Sequence, residues 1–103
     1  MKVLITGPAK AALKAIFEYY KSEGFGEYGI KLTQVIITKA KSLSKNYQRG
    51  QKEEMLKHLL KGHRYLIAKK HYKIIYRTEA EIVIVTDIFD TRQQPEKLIK
   101  RNK

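Results

Sequence analysis

Apolar residues change their spacing twice between the first residue and the last. Met1 to Thr6 is a short apolar run, a candidate strand that stops at Gly7-Pro8. Proline suits the first position of a helix, where its missing N–H would have no partner in any case. From Pro8 the apolar residues recur every three or four positions, at Ala12, Ala15, Ile16, Tyr19 and Tyr20, with Leu13 and Phe17 widening the stripe. That spacing predicts an amphipathic helix. SEGFGEYG (Ser22 to Gly29) holds three glycines and predicts a break. A second helix is expected from about Ile30 to Ser44, with Leu32, Val35, Ile36 and Leu43 as its stripe and Ile37 and Ala40 at the margin. Lys31, Lys39, Lys41 and Lys45 are among its polar positions. The short glycine-rich connection predicts an antiparallel helical hairpin. KNYQRG closes it, and QKEEMLKHLLKG (Gln51 to Gly62) follows, for which a helix and an extended linker both fit.

After Gly62 the period becomes two. HRYLIAKK, HYKIIYRT and EIVIVTDIFD read as three consecutive strands, rich in β-branched and aromatic residues. The connections at Lys69-Lys70 and Glu79-Ala80 leave room only for tight turns. DTRQQP ends the sheet, and Pro95 opens a short helix through about Lys100. No internal repeat or change of composition divides the chain, so a single domain over residues 1–103 is expected. The predicted class is α+β: an N-terminal strand, an antiparallel helical hairpin, a three-stranded antiparallel meander (β-α-α-β-β-β) and a short C-terminal helix.

With two residues in each hairpin loop, Ala68 faces His71, Ile67 faces Tyr72, Tyr65 faces Ile74 and His63 faces Tyr76. Cross-strand partners share a face of a sheet, and side chains alternate along each strand. One face then gathers Tyr65, Ile67, Tyr72, Ile74, Tyr76, Val83, Val85 and Phe89, ready for the helices to cover. Asp87 falls on that face, opposite Tyr72, as a hydrogen-bond partner for a phenol. The other face gathers Arg64, Leu66, His71, Lys73, Ile75, Arg77, Ile82, Ile84 and Ile88, and Arg92 if the alternation continues past Asp90. Cations grouped without a carboxylate repel one another and resist leaving water unless an anion is supplied. Two readings fit. Either the face binds an anion, a phosphate backbone or an acidic peptide, or long basic side chains merely lie over a half-exposed sheet.

Charge favours an anionic partner. Lys and Arg number 22 against 10 Asp and Glu, for a net charge of +12. The isoelectric point is about 9.9, and a value above ~9 is a usual footprint of a polyanion binder. The basic residues are spread along the chain, with a further cluster at Lys97, Lys100, Arg101 and Lys103 expected as a solvated end. The chain has no cysteine, which excludes disulfides and thiolate metal sites and fits a reducing compartment. No apolar run approaches the roughly 18–20 residues of a membrane span, and MKVLITGPAKAALK lacks the hydrophobic block of a signal peptide. A cytoplasmic chain without membrane contact is expected.

His58, His63 and His71 show neither HxH nor HExxH spacing, so no metal site is expected, and no cofactor. GFGEYG lies between two helices rather than after a strand and reads as a loop. Glu53-Glu54 and the Asp87/Asp90 pair read as surface and strand-end carboxylates. RNA cleavage requires none of these. A 2′-hydroxyl attacks its neighbouring phosphate if a base takes its proton and positioned cations stabilise the developing charge. His71, Lys73 and the arginines suffice in type.

LSKNYQRG at the end of the second helix, GHRYLIAKKHYKIIYR across the first hairpin and IVTDIFDTRQQPEKL at the last strand carry a resemblance. In the order strand, two helices, meander, the chain resembles the RelE/ParE family of bacterial type II toxin–antitoxin toxins, over nearly its whole length. HRYL with YKIIYR, and FDTRQQP, are its most specific words. The resemblance implies a small basic toxin held inactive by a cognate antitoxin wrapped around it, here an acidic one. By position, Arg64, Lys73 and Arg92 fall where RelE-type mRNA interferases place basic residues around the scissile phosphate. Arg77 ends its strand as an Arg commonly does in ParE-like members. Two departures stand out: Lys73 occupies a position where Arg is common, and FDTRQQPEKLIKRNK lacks the His or Tyr that family ribonucleases often carry there. The implied function is a ribosome-dependent, metal-independent mRNA endonuclease with Arg64, Lys73 and Arg92 as catalytic residues, joined by His71 and Arg77 in RNA binding. Its alternatives are a ParE-type poison of DNA gyrase without nuclease activity, and a non-toxic antitoxin- or nucleic-acid-binding relative.

Overall fold

Strand β1 (Lys2–Ile5) leads directly into helix α1 (Gly7–Ser22). Thr6 makes the junction: its hydroxyl donates to the Val85 carbonyl at 2.9 Å and accepts from the Ala9 N–H at 3.3 Å, capping the helix. Pro8 lies in the first turn, as its position predicts. The computed structural model describes residues 1–102, so Lys103, expected as part of a solvated basic end, lies outside the described residues. None of the described helices is long and apolar enough to cross a membrane.

Helix α2 (Gly26–Lys41) starts earlier than its apolar pattern predicts. The break is only Glu23-Gly24-Phe25, with Gly24 in the left-handed region at φ +84°. Gly26 and Gly29 are helical. Gly29 serves packing: a Cβ there would lie 3.2 Å from Tyr20 Cβ and 3.3 Å from the Phe17 ring, so its absence lets the two helices approach. The buried stripe of α2 is Leu32, Ile36 and Ala40, continued by Leu43 in the 3-10 turn Ser42–Ser44. Val35, expected inside, is 41% exposed, whereas Ala40, expected at the margin, is 1% exposed. The buried face is centred on Leu32, Ile36 and Ala40, one stripe of the helix that leaves Val35 at its edge.

Five strands form one sheet in the order β1-β5-β4-β3-β2, built from β2 (Gln51–Lys52), β3 (Arg64–Ala68), β4 (Tyr72–Glu79) and β5 (Ile82–Asp90) besides β1. β1 pairs parallel to β5, and the remaining pairs are antiparallel. The segment that suited both a helix and a linker divides between the two: Gln51–Lys52 pairs with β3, and Glu54–Leu59 forms a 3-10 helix. Helix α3 (Pro95–Arg101) completes the chain. The fold class is the α+β arrangement expected, with β2 as an added edge strand.

Two local features change which side chains share a face. The β3–β4 loop holds three residues, because Ala68 pairs with Tyr72 and leaves Lys69, Lys70 and His71 between them. Lys69 and Lys70 are both left-handed, at φ +51° and +68°. One extra loop residue slips the register by one and turns every β3 side chain to the opposite face. The β4–β5 loop holds two residues, as expected, but they are Ala80 and Glu81 rather than Glu79 and Ala80, with Glu79 opposite Ile82. In β5 the register then shifts: Tyr76 pairs with Val85 and Ile75 with Asp87, so Thr86 is extra. This bulge exchanges the faces of Asp87, Ile88 and Phe89.

The helices therefore cover Leu66, Ala68, Tyr72, Ile74, Tyr76, Val83, Val85 and Ile88. Tyr65 and Phe89, expected beneath the helices, pack instead in a second core with Leu56, Ile75 and Leu98. Ile67 follows Tyr65 in parity and is left partly exposed. The second face of the sheet is thus no open basic platform. The Glu54–Leu59 turn and α3 cover its middle.

Candidate functional site

The five basic residues singled out in the sequence lie at separate places, three in the sheet and two, His71 and Arg92, in the turns beside it. Arg64 pairs across the ladder with Tyr76, on the helix-covered side. Its Nη1 donates to the Gly50 carbonyl at 2.8 Å. The Gly50 N–H in turn donates to the Tyr76 hydroxyl at 2.9 Å, and that hydroxyl donates to the Tyr47 carbonyl at 2.8 Å. Gly50 is required here, since a Cβ would stand 2.4 Å from the Tyr76 oxygen. Burial raises the Tyr76 phenol above its ordinary pKa, which keeps it a donor.

Lys73 occupies the opposite face. Its ammonium meets Glu53 at 2.6 Å and lies 4.2 Å from the centre of the Tyr65 ring. The Glu53 side chain is only 2% exposed, so Lys73 neutralises a buried carboxylate. Glu53 also caps the 3-10 helix by accepting from the Met55 N–H at 3.2 Å. Arg77 is paired at 2.6 Å with Glu79, two residues along its own strand. His71 lies exposed in the three-residue loop, where its carbonyl accepts from the Thr91 N–H at 2.7 Å.

Arg92 is on the helix side with Arg64, but at the far end of β4. Its guanidinium holds both oxygens of Asp90, at 3.0 and 2.9 Å, and donates to the Tyr72 hydroxyl at 3.2 Å. Tyr72 and Tyr76 are four residues apart, so about 13 Å of strand separates the two arginines' anchoring points. The expected clustering of Arg64, His71, Lys73, Arg77 and Arg92 on one carboxylate-free face does not occur. The three-residue loop moves Arg64 to the helix side, and the bulge moves Arg92 there too. Lys73, Arg77 and Arg92 each have a carboxylate partner. Asp87, expected to meet a phenol, instead pairs with Ile75 in the ladder and bonds Arg101 and Asn102.

Arg92 does border a cleft of about 430 Å³ between the sheet end and α1, whose lining includes Tyr19, Tyr20, Tyr72 and Asp90. The Tyr20 and Tyr72 hydroxyls are 3.3 Å apart. Burial, reinforced by Tyr20, raises the Tyr72 phenol well above its ordinary value. It stays protonated, able to donate a hydrogen bond but not to take a proton. Burial alone would raise Asp90, but hydrogen bonds from the Arg92 side chain and backbone outweigh it and hold that carboxyl below the usual range. The Arg92–Asp90 contact is a closed ion pair at an exposed edge.

Tyr19 and Tyr20 read in the sequence only as core positions of a helical stripe. Tyr20 does pack against the core, whereas Tyr19 is 58% exposed. Tyr20 stacks edge-on against both Tyr19 and Tyr28, at 5.1 and 4.9 Å. With Phe25, Ile30 and Val35 also exposed, the helical hairpin presents a series of apolar side chains to solvent. The signal for this in the sequence was excess: more apolar residues than one buried stripe needs. Among the described residues, no three His, Asp or Glu side chains are grouped to hold a metal ion.

A family model described as the ParE toxin of type II toxin–antitoxin systems, parDE, matches residues 3–95. Among solved structures, the chain is similar to one from the chromosomal ParDE toxin–antitoxin system of P. aeruginosa. The two share 22% sequence identity at a TM-score of 0.74, with 87% of this chain and 95% of the other covered. A search of curated proteins found no match.

Proposed function

Since the chain belongs to the ParE family of type II toxin–antitoxin toxins, we propose that it acts by binding its target, DNA gyrase, rather than by cutting RNA, and that a cognate acidic antitoxin neutralises it. The observation that carries this reading is the dispersal of the cations. A metal-independent ribonuclease needs its cations gathered around one phosphate, with a base within hydrogen-bond reach of the attacking hydroxyl. Here Arg64 and Lys73 lie on opposite faces, and three of the five basic candidates are tied to carboxylates. A binding toxin needs only an exposed surface, and the hairpin with Tyr19, Phe25 and Tyr28 exposed offers one. A net charge of +12 supports an acidic antitoxin segment laid over the hairpin or the sheet.

One observation favours the ribonuclease as a second reading. Arg92 retains 52% of its side-chain exposure beside Tyr72 and Asp90, a cation, a donor and an acceptor in one cleft. Under that reading Arg92, with Arg64 and Lys73, would carry catalysis. Expression of the chain alone and together with the neighbouring small gene separates these readings, when growth, translation and DNA damage are scored together. DNA damage with growth arrest, relieved by the neighbouring gene, is expected. Translation arrest with cut mRNA and no DNA damage would overturn the gyrase reading, and harmless expression would overturn both.

A further inference from the structure

The start of α1, the bulge of β5 and the end of α3 meet around a smaller cavity of about 250 Å³, which shares only Arg101 with the lining of the Arg92 cleft. Three cations line it from three places: Lys61 in the loop before β3, Arg77 on β4 and Arg101 on α3. No carboxylate among the described residues lines it, although Arg77 also holds Glu79 and Arg101 also holds Asp87. Among the described residues, Lys61 has no ion-pair partner. Thr6 and Pro8 bring the N-terminal end of α1 to the same cavity, and its first turn carries no acidic residue. The positive end of that helix is therefore not offset by a side chain of its own.

Two lining residues hold buried polar atoms without a hydrogen-bond partner, His63 at Nδ1 and Thr86 at Oγ1. His63 is only 6% exposed. An unsatisfied buried polar group is destabilising, and here the two belong to residues that line one basic cavity. Thr86 is the extra residue of the β5 bulge, a feature that re-aims a side chain. We propose that this cavity binds a phosphate group, with Lys61, Arg77 and Arg101 as its cations and the Thr86 hydroxyl and His63 imidazole as neutral donors. A phosphate offers more acceptor oxygens than a carboxylate, and so suits donors arriving from several elements. The volume is several times the ~30 Å³ share of one liquid water. The site uses none of Arg64, Lys73 or Arg92, and it does not depend on which target the toxin attacks. The phosphate is either free or part of a nucleic-acid backbone.

Burial, followed by the charges of Arg77 and Lys61, pushes the His63 imidazole below its ordinary pKa; Glu53 opposes them and His58 adds to them. A bound anion would relieve that pressure and raise it. The test is an NMR titration of the full chain with inorganic phosphate at constant ionic strength, and then with a short DNA duplex. Shifts confined to Thr6, Lys61, His63, Arg77, Thr86 and Arg101 are expected, with the His63 ring titrating at higher pH. Thr86→Val, which removes a hydroxyl that has no partner in the unliganded fold, is expected to keep the fold and weaken phosphate about tenfold, the loss of one hydrogen bond to a charged group. Lys61→Gln should weaken it about two- to fivefold, whereas the exposed Lys45→Gln should change nothing. Displacement of phosphate by the duplex at the same signals, or phosphate binding that the duplex leaves undisturbed, would each support the site and distinguish the source. Shifts scattered over surface lysines, or unchanged affinity in both Thr86→Val and Lys61→Gln, would overturn it.

Discussion

Lys73 and Glu53 show how a basic residue in a strand can belong to the fold. Glu53 is buried, and Lys73 supplies its counter-charge at 2.6 Å. Removing one partner of a buried pair leaves an uncompensated charge, so Lys73→Met is expected to destabilise the domain by about 3–5 kcal/mol. Adding Glu53→Leu should recover most of that loss, as urea-unfolding midpoints would show. Should Lys73→Met instead leave stability intact, the pair is not structural. Gly50→Ala places a methyl against the Tyr76 hydroxyl and is expected to cost about 1–3 kcal/mol. His63 makes a prediction about pH. Its folded pKa lies below the ordinary 6.5, so the unfolded chain binds more protons as pH falls. The stability tied to its neutral form is present above pH 6.5 and is lost as pH falls through the folded value. Asp90, also depressed, acts in the same sense at lower pH, while Asp87, raised mainly by its burial, acts in the opposite sense. Melting temperatures should therefore fall on acidification below pH 6.5, with a shallower slope in His63→Leu.

The faces of β4 were readable from HYKIIYR alone: Tyr72, Ile74 and Tyr76 lie under the helices, and Lys73 and Ile75 do not. Those of β3 were not, because its register depends on a loop length that Lys69-Lys70 does not announce. A tight turn normally signals itself with glycine or asparagine at left-handed positions, and here two lysines adopt that conformation. The β5 bulge was equally silent, since Thr86 fits the alternation of EIVIVTDIFD without a visible interruption. These two features together dispersed the candidate site, and so its residue types were readable while its geometry was not. The Gly29 crossing was hidden for the opposite reason: glycine reads as a break, yet here it serves close packing. Lys70→Gly, which relieves a left-handed lysine, is expected to stabilise the domain by about 0.5–1 kcal/mol. Gly29→Val should destabilise it by about 1–3 kcal/mol through overpacking against Phe17 and Tyr20. Thermal melts of the two variants, shifting in opposite directions, would check both.

Over the whole chain, element order and the words HRYL, YKIIYR and FDTRQQP carried the family resemblance, because neither depends on register. The order strand, helical hairpin, meander and C-terminal helix is kept, with one short edge strand added. The basic surface remains a long-range field even though its cations are individually paired or scattered. Association with an acidic antitoxin segment should therefore slow as salt rises, since charge screening acts mainly on encounter. Exposed aromatic side chains on the hairpin supply short-range contact that salt does not remove. Under the proposed function, the toxin captures gyrase instead of cleaving RNA. The most direct test incubates the purified chain with gyrase, ATP and supercoiled plasmid, then denatures the protein and scores DNA linearised with gyrase attached. Dose-dependent accumulation of gyrase-linked linear DNA, unchanged in Arg64→Gln, is expected. An unaffected gyrase, together with cuts in translated mRNA that Arg92→Gln abolishes, would contradict it.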